Sequence, residues 1–433
     1  MVEAPLELTP LERAMVALTQ GENEEAIRWA FAVLADDSYA AMAALVGGIA
    51  LSRLGQHAMG ERALDVAIRV AVRRRLFPTL LVGMLECRAN GYDLSAHVDR
   101  IAATRALPDA LASSPPPPLV TVDNTKRLSM PGVKLFPVVE GILVDSLKAA
   151  HDAPRASTAT GWIELSVNEV MALIRELSVE YVLPDAVVTQ EGEPGDAVYW
   201  VARGQLDVLR SVGEGKTRRV ALLNAGSMFG ELALLTHAPR VATVRVARPT
   251  VLVRMPKAAL RRLLPDHAWL SERLVETARS RLLANMVSSG EGVLGALSHE
   301  TRVALLQACE MRILERGQRF VTSGQMAEGL WLVASGQVSV FGKDADDPVL
   351  LATLGPGDVT GEVSTVLVRE ASVDVVCVTP VVALLLTRET WNRFVESRPD
   401  VVAPFYMLSL QRLEQAGAMM RASYVDVVDD VVV

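Results

Sequence analysis

The stretch GELALLTHAPRVATV, residues 230–244, combines residue types that can hold an anion beside a hydroxyl group. Gly230 and Glu231 precede the short apolar run LALL, which predicts a short helix that starts straight after a strand. The first amides of a helix have no partner within it and carry a partial positive charge, so they attract anions. Gly230 has no side chain to block a close approach to those amides.

Two charged side chains extend this chemistry. Arg240 has a planar guanidinium group that can hold two phosphate oxygens at once. An ionised Glu231 can only accept hydrogen bonds, which suits a hydroxyl group of a ligand rather than its phosphate. The stretch therefore predicts a ligand with one anionic group beside a sugar hydroxyl. Alternatively, Glu231 and Arg240 form an ion pair with each other in a domain that no longer binds a ligand.

The elements that must position this stretch are short β-strands. From Tyr181 onward the apolar pattern has a period of two, in runs such as AVYWVA, QLDVLR, VATVRV and TVLVRM, separated by Gly, Pro and charged turns. Evenly spaced short strands are typical of a β-barrel or jelly roll. Helical sequence flanks them, with VNEVMALIREL before and WLSERLVETARSRLLANM after.

The same pattern occurs a second time along the chain. Gly192, Tyr199, Gly204 and Gln205 match Gly324, Trp331, Gly336 and Gln337 at an offset of 132 residues, and Gly226 matches Gly357 at 131. The segment from about residue 290 to 405 is therefore a second copy of the domain before it.

The segments FGELALLTHAPRVATV and EGEPGDAVYWVARGQLDVL resemble cyclic nucleotide-binding domains, as in protein kinase A regulatory subunits and the catabolite activator protein. The resemblance implies that Glu231 accepts a hydrogen bond from the ribose 2′-hydroxyl and that Arg240 holds the cyclic phosphate. Members selective for cyclic GMP often have a threonine where this chain has Val241, so the resemblance favours cyclic AMP. The residues that it places in the site are Gly230, Glu231, Leu232, Ala233, Arg240, Val241 and Ala242. The resemblance also implies that the backbone N–H groups of Ala233 and Val241 point at the phosphate and that Leu232 and Ala242 shape the floor of the site.

The second copy departs from this cassette. Its stretch GEVSTVLVREASVDV keeps Gly361, Glu362 and Arg369, but two residues are missing before the arginine and the proline is absent. Glu370 stands where the first copy has Val241. A carboxylate there would repel a phosphate and compete for Arg369, which predicts a weak or vestigial second site in a domain with a structural or dimerising role.

The first hundred residues are rich in Ala and Leu with helical periodicity. Gly21, Gly55 and Gly91 are spaced by 34 and 36 residues, and small residues (Ala26, Gly60 and Ala96) follow five positions after each. Each glycine is predicted to end one helix, and each small residue to allow a close helix crossing. Residues 8–107 resemble tetratricopeptide repeats, whose period is about 34 residues, which implies a protein partner. A helical bundle without repeats is the alternative.

Composition excludes several function classes. With 433 residues and a net charge of −8, the chain is expected to hold two to four domains and not to bind nucleic acid. Three scattered cysteines, no signal peptide and no membrane-length apolar run predict a cytoplasmic protein. The sequence has no metal-ligand spacing, nucleophile–base arrangement or nucleotide-hydrolase phosphate loop, so no cofactor, metal or enzymatic activity is expected.

These inferences define a multidomain organisation with an all-α repeat region before two tandem cyclic nucleotide-binding domains with flanking helices. The predicted boundaries are 1–110 (helical repeats), 111–130 (Pro-rich linker), 131–289 and 290–415 (the two domains) and 416–433 (acidic, Val-rich tail). The predicted function is a cyclic nucleotide sensor and adaptor, with homodimerisation left open. One alternative is a kinase regulatory subunit whose linker carries a substrate-like site, KRLSM, at Lys126–Met130. The other is a scaffold with degenerate sensor domains.

Overall fold

The computed structural model describes residues 7–95, 97–98, 127–152, 167–211, 216–231, 233, 239–289, 292–344 and 347–429. The chain divides into two compact units. The first holds residues 1–230 and 242–270, and the second holds residues 231–241 and 271–433. Within these described ranges, no helix has the length and apolar character needed to cross a membrane.

The first unit opens with helices that pack against their neighbours along the chain. They are α1 (Pro10–Gln20), α2 (Asn23–Asp36), α3 (Ala41–Arg53), α4 (His57–Arg73), α5 (Phe77–Ala89) and α6 (Gly132–Asp152). Their contacts bury apolar side chains such as Leu18, Phe31, Leu45 and Leu64 completely. Helix α6 packs against α2 and α4. Residues that follow the Pro-rich stretch in the sequence therefore belong to the helical region, although the helical periodicity of the first hundred residues did not predict this.

The spaced glycines lie at helix ends. Gly21, Gly55 and Gly91 have φ angles of 82°, 77° and 72° and follow α1, α3 and α5 closely. Gly60 lies on α4 where a Cβ atom would be only 2.3 Å from Ser52 Oγ of α3. The glycine pattern therefore marks helix ends and one close helix crossing. Ala96 lies outside the described residues.

One β-sheet completes the first unit. After α7 (Val167–Glu176) come β1 (Ser178–Val182), β2 (Val187–Thr189), β3 (Ala197–Ser211), β4 (Thr217–Asn224), β5 (Met228–Phe229), β6 (Thr243–Pro256) and α8 (Lys257–Leu263). The strand order is β1-β6-β3-β4, with β2 on β6 and β5 on β3. The long strands β3 and β6 pair in antiparallel register, and their buried faces supply core residues such as Val201, Leu206 and Leu252.

The helices and this sheet are joined by buried polar contacts. Glu12 closes the capping box of α1 with Thr9, and it also accepts hydrogen bonds from both Arg248 Nε and Arg248 Nη2 at 2.5 Å. Tyr181 Oη of β1 donates to Glu86 Oε1 of α5 at 2.9 Å. The helices and this sheet both belong to the first compact unit.

The second unit contains the second copy. Its elements are α9 (Ala268–Ser289, most of which lies in this unit), α10 (Gly292–Gly295), α11 (His299–Gln307), β7 (Glu310–Leu314), β8 (Arg319–Val321), β9 (Gly329–Ser335), β10 (Val338–Asp344), β11 (Asp347–Leu354), β12 (Val359–Thr360), α12 (Glu362–Val366), β13 (Val373–Cys377), β14 (Val381–Thr387), α13 (Arg388–Ser397), a 3-10 turn (Pro399–Val401) and α14 (Val402–Asp429). The strands form two four-stranded sheets, β11-β10-β13-β8 and β12-β9-β14-β7. Side chains from both sheets share one core, which includes Trp331, Val333, Val375 and Leu385.

The predicted barrel closure is not found among the described strands, which form open sheets. The matched glycines nevertheless adopt the same conformation in both copies. Their φ angles are 87° and 77° for Gly192 and Gly324, 99° and 91° for Gly204 and Gly336, 89° and 97° for Gly226 and Gly357, and 89° and 78° for Gly230 and Gly361. Left-handed backbone at equivalent turns, which glycine adopts without strain, agrees with the duplication inferred from the sequence.

Candidate ligand sites

The first cassette buries both of its charged residues. Glu231 is 1% exposed and Arg240 is 5% exposed, while Val241 is 41% exposed. Ala233 and Ala242 are also buried, and Leu232 lies outside the described residues. Charged side chains are rarely buried unless they are paired or bind a ligand. The burial of Glu231 and Arg240 is therefore typical of charged residues that are paired or that bind a ligand.

Strands β5 and β6 fix where this cassette leaves and rejoins the sheet. Phe229 of β5 pairs with Tyr199 of β3, and their rings stack with centroids 5.0 Å apart. Gly230 follows with a left-handed φ of 89°. At the other end, Thr243 Oγ1 accepts a hydrogen bond from the backbone N–H of Glu191 at 3.0 Å. The residues on either side of the cassette are therefore held by contacts within the first unit.

The second cassette starts in the same manner. Gly361 has a φ of 78°. A Cβ atom there would lie 2.4 Å from the carbonyl oxygen of Gly329, so the backbone just after β12 lies close to the start of β9. Helix α12 follows directly. Ser364 accepts a hydrogen bond from Ala327 N at 2.9 Å and donates one to the carbonyl oxygen of Arg369 at 2.6 Å. The shortened loop is therefore held in a defined position.

Arg369 lies at the surface, unlike its counterpart Arg240. Both Arg369 and Glu370 are exposed, and Val368 before them is 73% exposed with a φ of 52°. Arg369 is therefore not a buried residue of its cassette, as Arg240 is of the first. The loop lacks two residues, so it turns at Val368 and leaves both charged side chains in solvent.

A residue outside the cassette pairs with Glu362. Arg412, on α14, donates from Nη1 to Glu362 Oε1 at 3.2 Å and also to the carbonyl oxygen of Val359. The Glu362 side chain is only 3% exposed. Burial raises the pKa of Glu362 above its usual value, and the charge of Arg412 opposes that shift. No local motif identifies Arg412, because it is 50 residues away in sequence.

A cavity of about 110 Å³ lies between this cassette, the adjacent strands and α14. Most of its walls are apolar, formed by residues such as Val321, Val340, Leu354, Val373, Leu413 and Ala416. Arg412 is the one arginine among the residues that line it, and it is paired with Glu362. A cyclic phosphate in this cavity would therefore meet a neutralised cassette instead of an available guanidinium group.

Comparison with known proteins identifies both copies. Residues 179–267 and 311–398 match the family model of the cyclic nucleotide-binding domain. The chain carries two cyclic nucleotide-binding domains. This agrees with the family resemblance of the sequence motifs and with the matched glycine turns.

The chain is also similar to curated kinase regulatory subunits. It is 29% identical over 213 residues to a cAMP-dependent protein kinase regulatory subunit of Candida albicans, a region that covers 49% of this chain and 43% of that protein. It is 28% identical over 218 residues to a cAMP-dependent protein kinase type II regulatory subunit of Drosophila melanogaster, covering 50% and 53%. The chain thus spans about half the length of these relatives.

Among solved structures, the chain is similar to the regulatory domain of Toxoplasma gondii PKA, crystallised with cAMP. The identity is 21% and the TM-score is 0.28, with 58% of this chain and 90% of that chain covered.

Proposed function

We propose that the protein is a cyclic nucleotide sensor that binds one cyclic nucleotide, cyclic AMP in preference to cyclic GMP, at residues 230–242. The observation that carries this proposal is the burial of Glu231 and Arg240 within a complete cassette of a cyclic nucleotide-binding domain. The similarity to regulatory subunits named as cAMP-dependent supports the choice of cyclic AMP.

In this proposal the guanidinium group of Arg240 pairs with the cyclic phosphate in two parallel hydrogen bonds. The carboxylate of Glu231 accepts the ribose 2′-hydroxyl, and the backbone N–H groups of Ala233 and Val241 add donors for the phosphate. Gly230 permits the close approach, and Leu232 and Ala242 form the floor. Because both charged side chains are buried, water competes little with these bonds, and each becomes stronger.

The second domain then has a structural role that does not depend on ligand. Its cassette glutamate is neutralised by Arg412, and its cassette arginine is exposed. Gly361, Glu362 and Arg369 are in this view the remains of a site. A domain that stays closed without ligand can serve as a fixed partner for a ligand-responsive neighbour, within the chain or in a homodimer.

We assign partner binding to the helical region. Glycine-capped helix pairs with a period near 34 residues support tetratricopeptide-like repeats over residues 8–107, which present protein-binding surfaces. We retain the boundaries 1–110, 111–130, 131–289, 290–415 and 416–433 as functional segments, although α6 packs with the helical region. The protein would act in the cytoplasm as a signalling adaptor without catalysis of its own.

A kinase regulatory subunit is the second candidate. It is favoured by the names of the relatives and by the basic segment KRLSM, which precedes both domains in the sequence. A scaffold with two degenerate sensor domains is the third candidate, and it predicts no response to nucleotide.

Thermal denaturation of the full chain with cyclic AMP, cyclic GMP or neither tests the proposal. At about 100 times its dissociation constant, a ligand adds roughly 2.7 kcal/mol to stability, which corresponds to a shift of several degrees for the unit that binds it. We expect cyclic AMP to produce this shift at lower concentration than cyclic GMP, and Arg240→Ala to abolish it. The absence of any shift at millimolar nucleotide would favour the scaffold.

A further inference from the structure

The helices of the first unit form two sets according to what they contact. Helix α1 contacts α3, α3 contacts α5, and both α1 and α5 contact strands of the sheet. Helices α2 and α4 belong to the other set, and both contact α6. Other parts of the same chain therefore cover a surface of each set. A partner that uses one of these surfaces must replace what covers it.

Helix α6 meets α2 and α4 through one stripe of side chains. Ser146 in this stripe is 1% exposed, and four apolar residues are completely buried, namely Leu135, Val139, Leu143 and Ala150. Spacings of three or four residues place all of them on one face of a helix. Val144, next to Leu143 in the sequence, is 40% exposed and lies off that face. Helix α6 therefore binds α2 and α4 as an amphipathic helix lies in an apolar groove.

The residues just before α6 are held by polar contacts with α2. Arg127 Nε and Nη2 donate to Oε1 and Oε2 of Glu25 at 2.5 and 2.6 Å, a bidentate pair. Arg28 Nη1 donates to the carbonyl oxygens of Leu128 and Met130 at 3.0 and 2.5 Å. The Arg28 side chain is only 9% exposed. Helix α2 thus binds a short peptide by its arginine and by its backbone, beside the docked helix that follows it.

Three residues of α6 weaken its docked form. Pro137 lies inside the helix and cannot donate a backbone N–H. Gly141 favours a helix less than alanine does, although a Cβ atom there would meet nothing within 4 Å. The hydroxyl of Ser146 is buried on the docked face, and no described group forms a hydrogen bond with it. A helix without these three features would therefore fit the same surface more tightly than α6 does.

We propose that the surface of α2 and α4 under α6, the α2–α4 groove, docks an amphipathic helix of a partner protein, and that residues 127–152 are an internal competitor for this groove. The inference rests on the proposed role of the helical region in partner binding and adds the chemistry of the partner. Release of residues 127–152 exposes the groove, and a partner helix that fits better than α6 replaces it.

The contacts of the internal competitor define the partner. Its helix carries apolar side chains at every third or fourth position over about four turns, like the stripe of α6, with an apolar residue in the place of Ser146. Just before the helix, the partner has an arginine for the carboxylate of Glu25. Glu22 and Glu24 add negative charge at the same end of α2, so an acidic segment there would be repelled.

Limited trypsin digestion of the full chain measures how readily α6 leaves the groove, because cleavage after Lys134 or Lys148 requires the helix to unwind. Both lysines are exposed. We expect Leu143→Asp, which places a charge on the buried face, to raise the initial cleavage rate at least about tenfold. The matched control Val144→Asp changes an exposed position of the same helix and should leave the rate unchanged. Cleavage within α4 reports global unfolding, and equal rates in folded Leu143→Asp and Val144→Asp chains would overturn the docking of α6.

Two stabilising variants test the opposite direction. Gly141→Ala adds a methyl group in open space and should lower the cleavage rate about fivefold. Ser146→Ala removes the buried hydroxyl and should lower the rate by a similar factor. Rates that do not fall in either variant would contradict the weak docking that allows a partner to replace α6.

Binding of a labelled peptide tests the groove itself. The probe is residues 127–152 with Ser146→Ala, titrated into the full chain and followed by fluorescence anisotropy. For Leu143→Asp, and for Arg28→Ala as a second released variant, we expect a dissociation constant at least about tenfold lower than for wild type or Val144→Asp, because the internal competitor is released. The same peptide with Leu143→Asp should not bind.

Binding to a folded released variant that is no tighter than binding to wild type would overturn the docking groove. No step of these assays involves a cyclic nucleotide, so a failure here is distinct from a failure of the proposed sensor.

Discussion

Arg412 Nη1 lies 3.2 Å from Glu362 Oε1, so an arginine of α14 neutralises the buried carboxylate of the second cassette. The same guanidinium group donates to the carbonyl oxygen of Val359. Helix α14 is therefore attached to the cassette by contacts that need no ligand. In the first cassette the corresponding acid, Glu231, belongs to a segment that retains its arginine as a buried residue.

Replacing Arg412 should destabilise the second unit strongly. Arg412→Ala leaves a buried carboxylate without its counter-charge, which costs about 3 kcal/mol or more. Urea denaturation, followed by the transition of the second unit, measures the loss. Arg393→Ala removes an exposed pair with Glu389 in the same unit and should cost less than about 1 kcal/mol. Comparable losses in both variants would contradict a structural role for Arg412.

The same pair predicts a pH dependence. Burial raises the pKa of Glu362 above its usual 4.5, so the folded state binds this proton more tightly than the unfolded state. The stability that protonated Glu362 contributes to the folded state is fully present below pH 4.5. It is lost as the pH rises through the pKa of Glu362 in the folded state. Arg412→Ala removes the charge that opposes the shift, so its destabilisation should be larger at pH 8 than at pH 6. Adding Glu362→Gln to Arg412→Ala should make the destabilisation equal at pH 8 and pH 6. If the destabilisation by Arg412→Ala alone does not change with pH, Arg412 does not stabilise the ionised Glu362.

Substitutions at two glycines of the second unit distinguish the cost of backbone strain from the cost of a close contact. Gly357 and Gly361 both have positive φ, but a Cβ atom at Gly357 meets nothing within 4 Å, whereas at Gly361 it would lie 2.4 Å from Gly329 O. Gly357→Ala should cost about 1–2 kcal/mol from its backbone conformation alone. Gly361→Ala should cost clearly more, because the backbone must move. Denaturation midpoints of the two variants measure the two losses of stability. Equal losses would mean that the backbone of the cassette moves away from Gly329 O at little cost.

The contact of Glu12 with Arg248 predicts acid sensitivity of the first unit. Burial alone would raise the pKa of Glu12, but hydrogen bonds from Arg248 and Thr9 lower it below 4.5. Its contribution to stability is therefore present above pH 4.5 and is lost as the pH falls through the folded pKa. Arg248→Ala should destabilise the unit by about 3 kcal/mol at pH 7 and weaken this acid dependence.

Arg219→Ala is the control for that prediction, since it removes an exposed arginine paired with Asp207 in the same sheet. It should change the free energy of unfolding by less than about 1 kcal/mol. An Arg248→Ala protein that is as stable as this control would show that the buried pair contributes little.

The sequence predicts features that depend on local order, and it misses those that depend on distant contacts. Glycine positions identify the duplication because left-handed turns restrict residue type at each matched point. The cassette is recognisable because its residues lie within one short segment. Arg412, the packing of α6 and the contact of Arg127 with Glu25 join residues far apart in sequence, so no spacing reports them. The exposure of Arg369 depends on how a shortened loop turns, which its composition does not determine.

Calorimetric titration of the full chain with cyclic AMP is the most direct test of the central claim, that one nucleotide binds per chain in the first domain. We expect one equivalent in the wild type, one in the control Arg369→Ala, whose altered residue is exposed, and none in Arg240→Ala. Arg240→Lys should also lose most of the affinity, because lysine cannot form the bidentate pair. If a folded Arg240→Ala protein still binds one equivalent at micromolar concentration, the second domain holds the working site and the account is wrong.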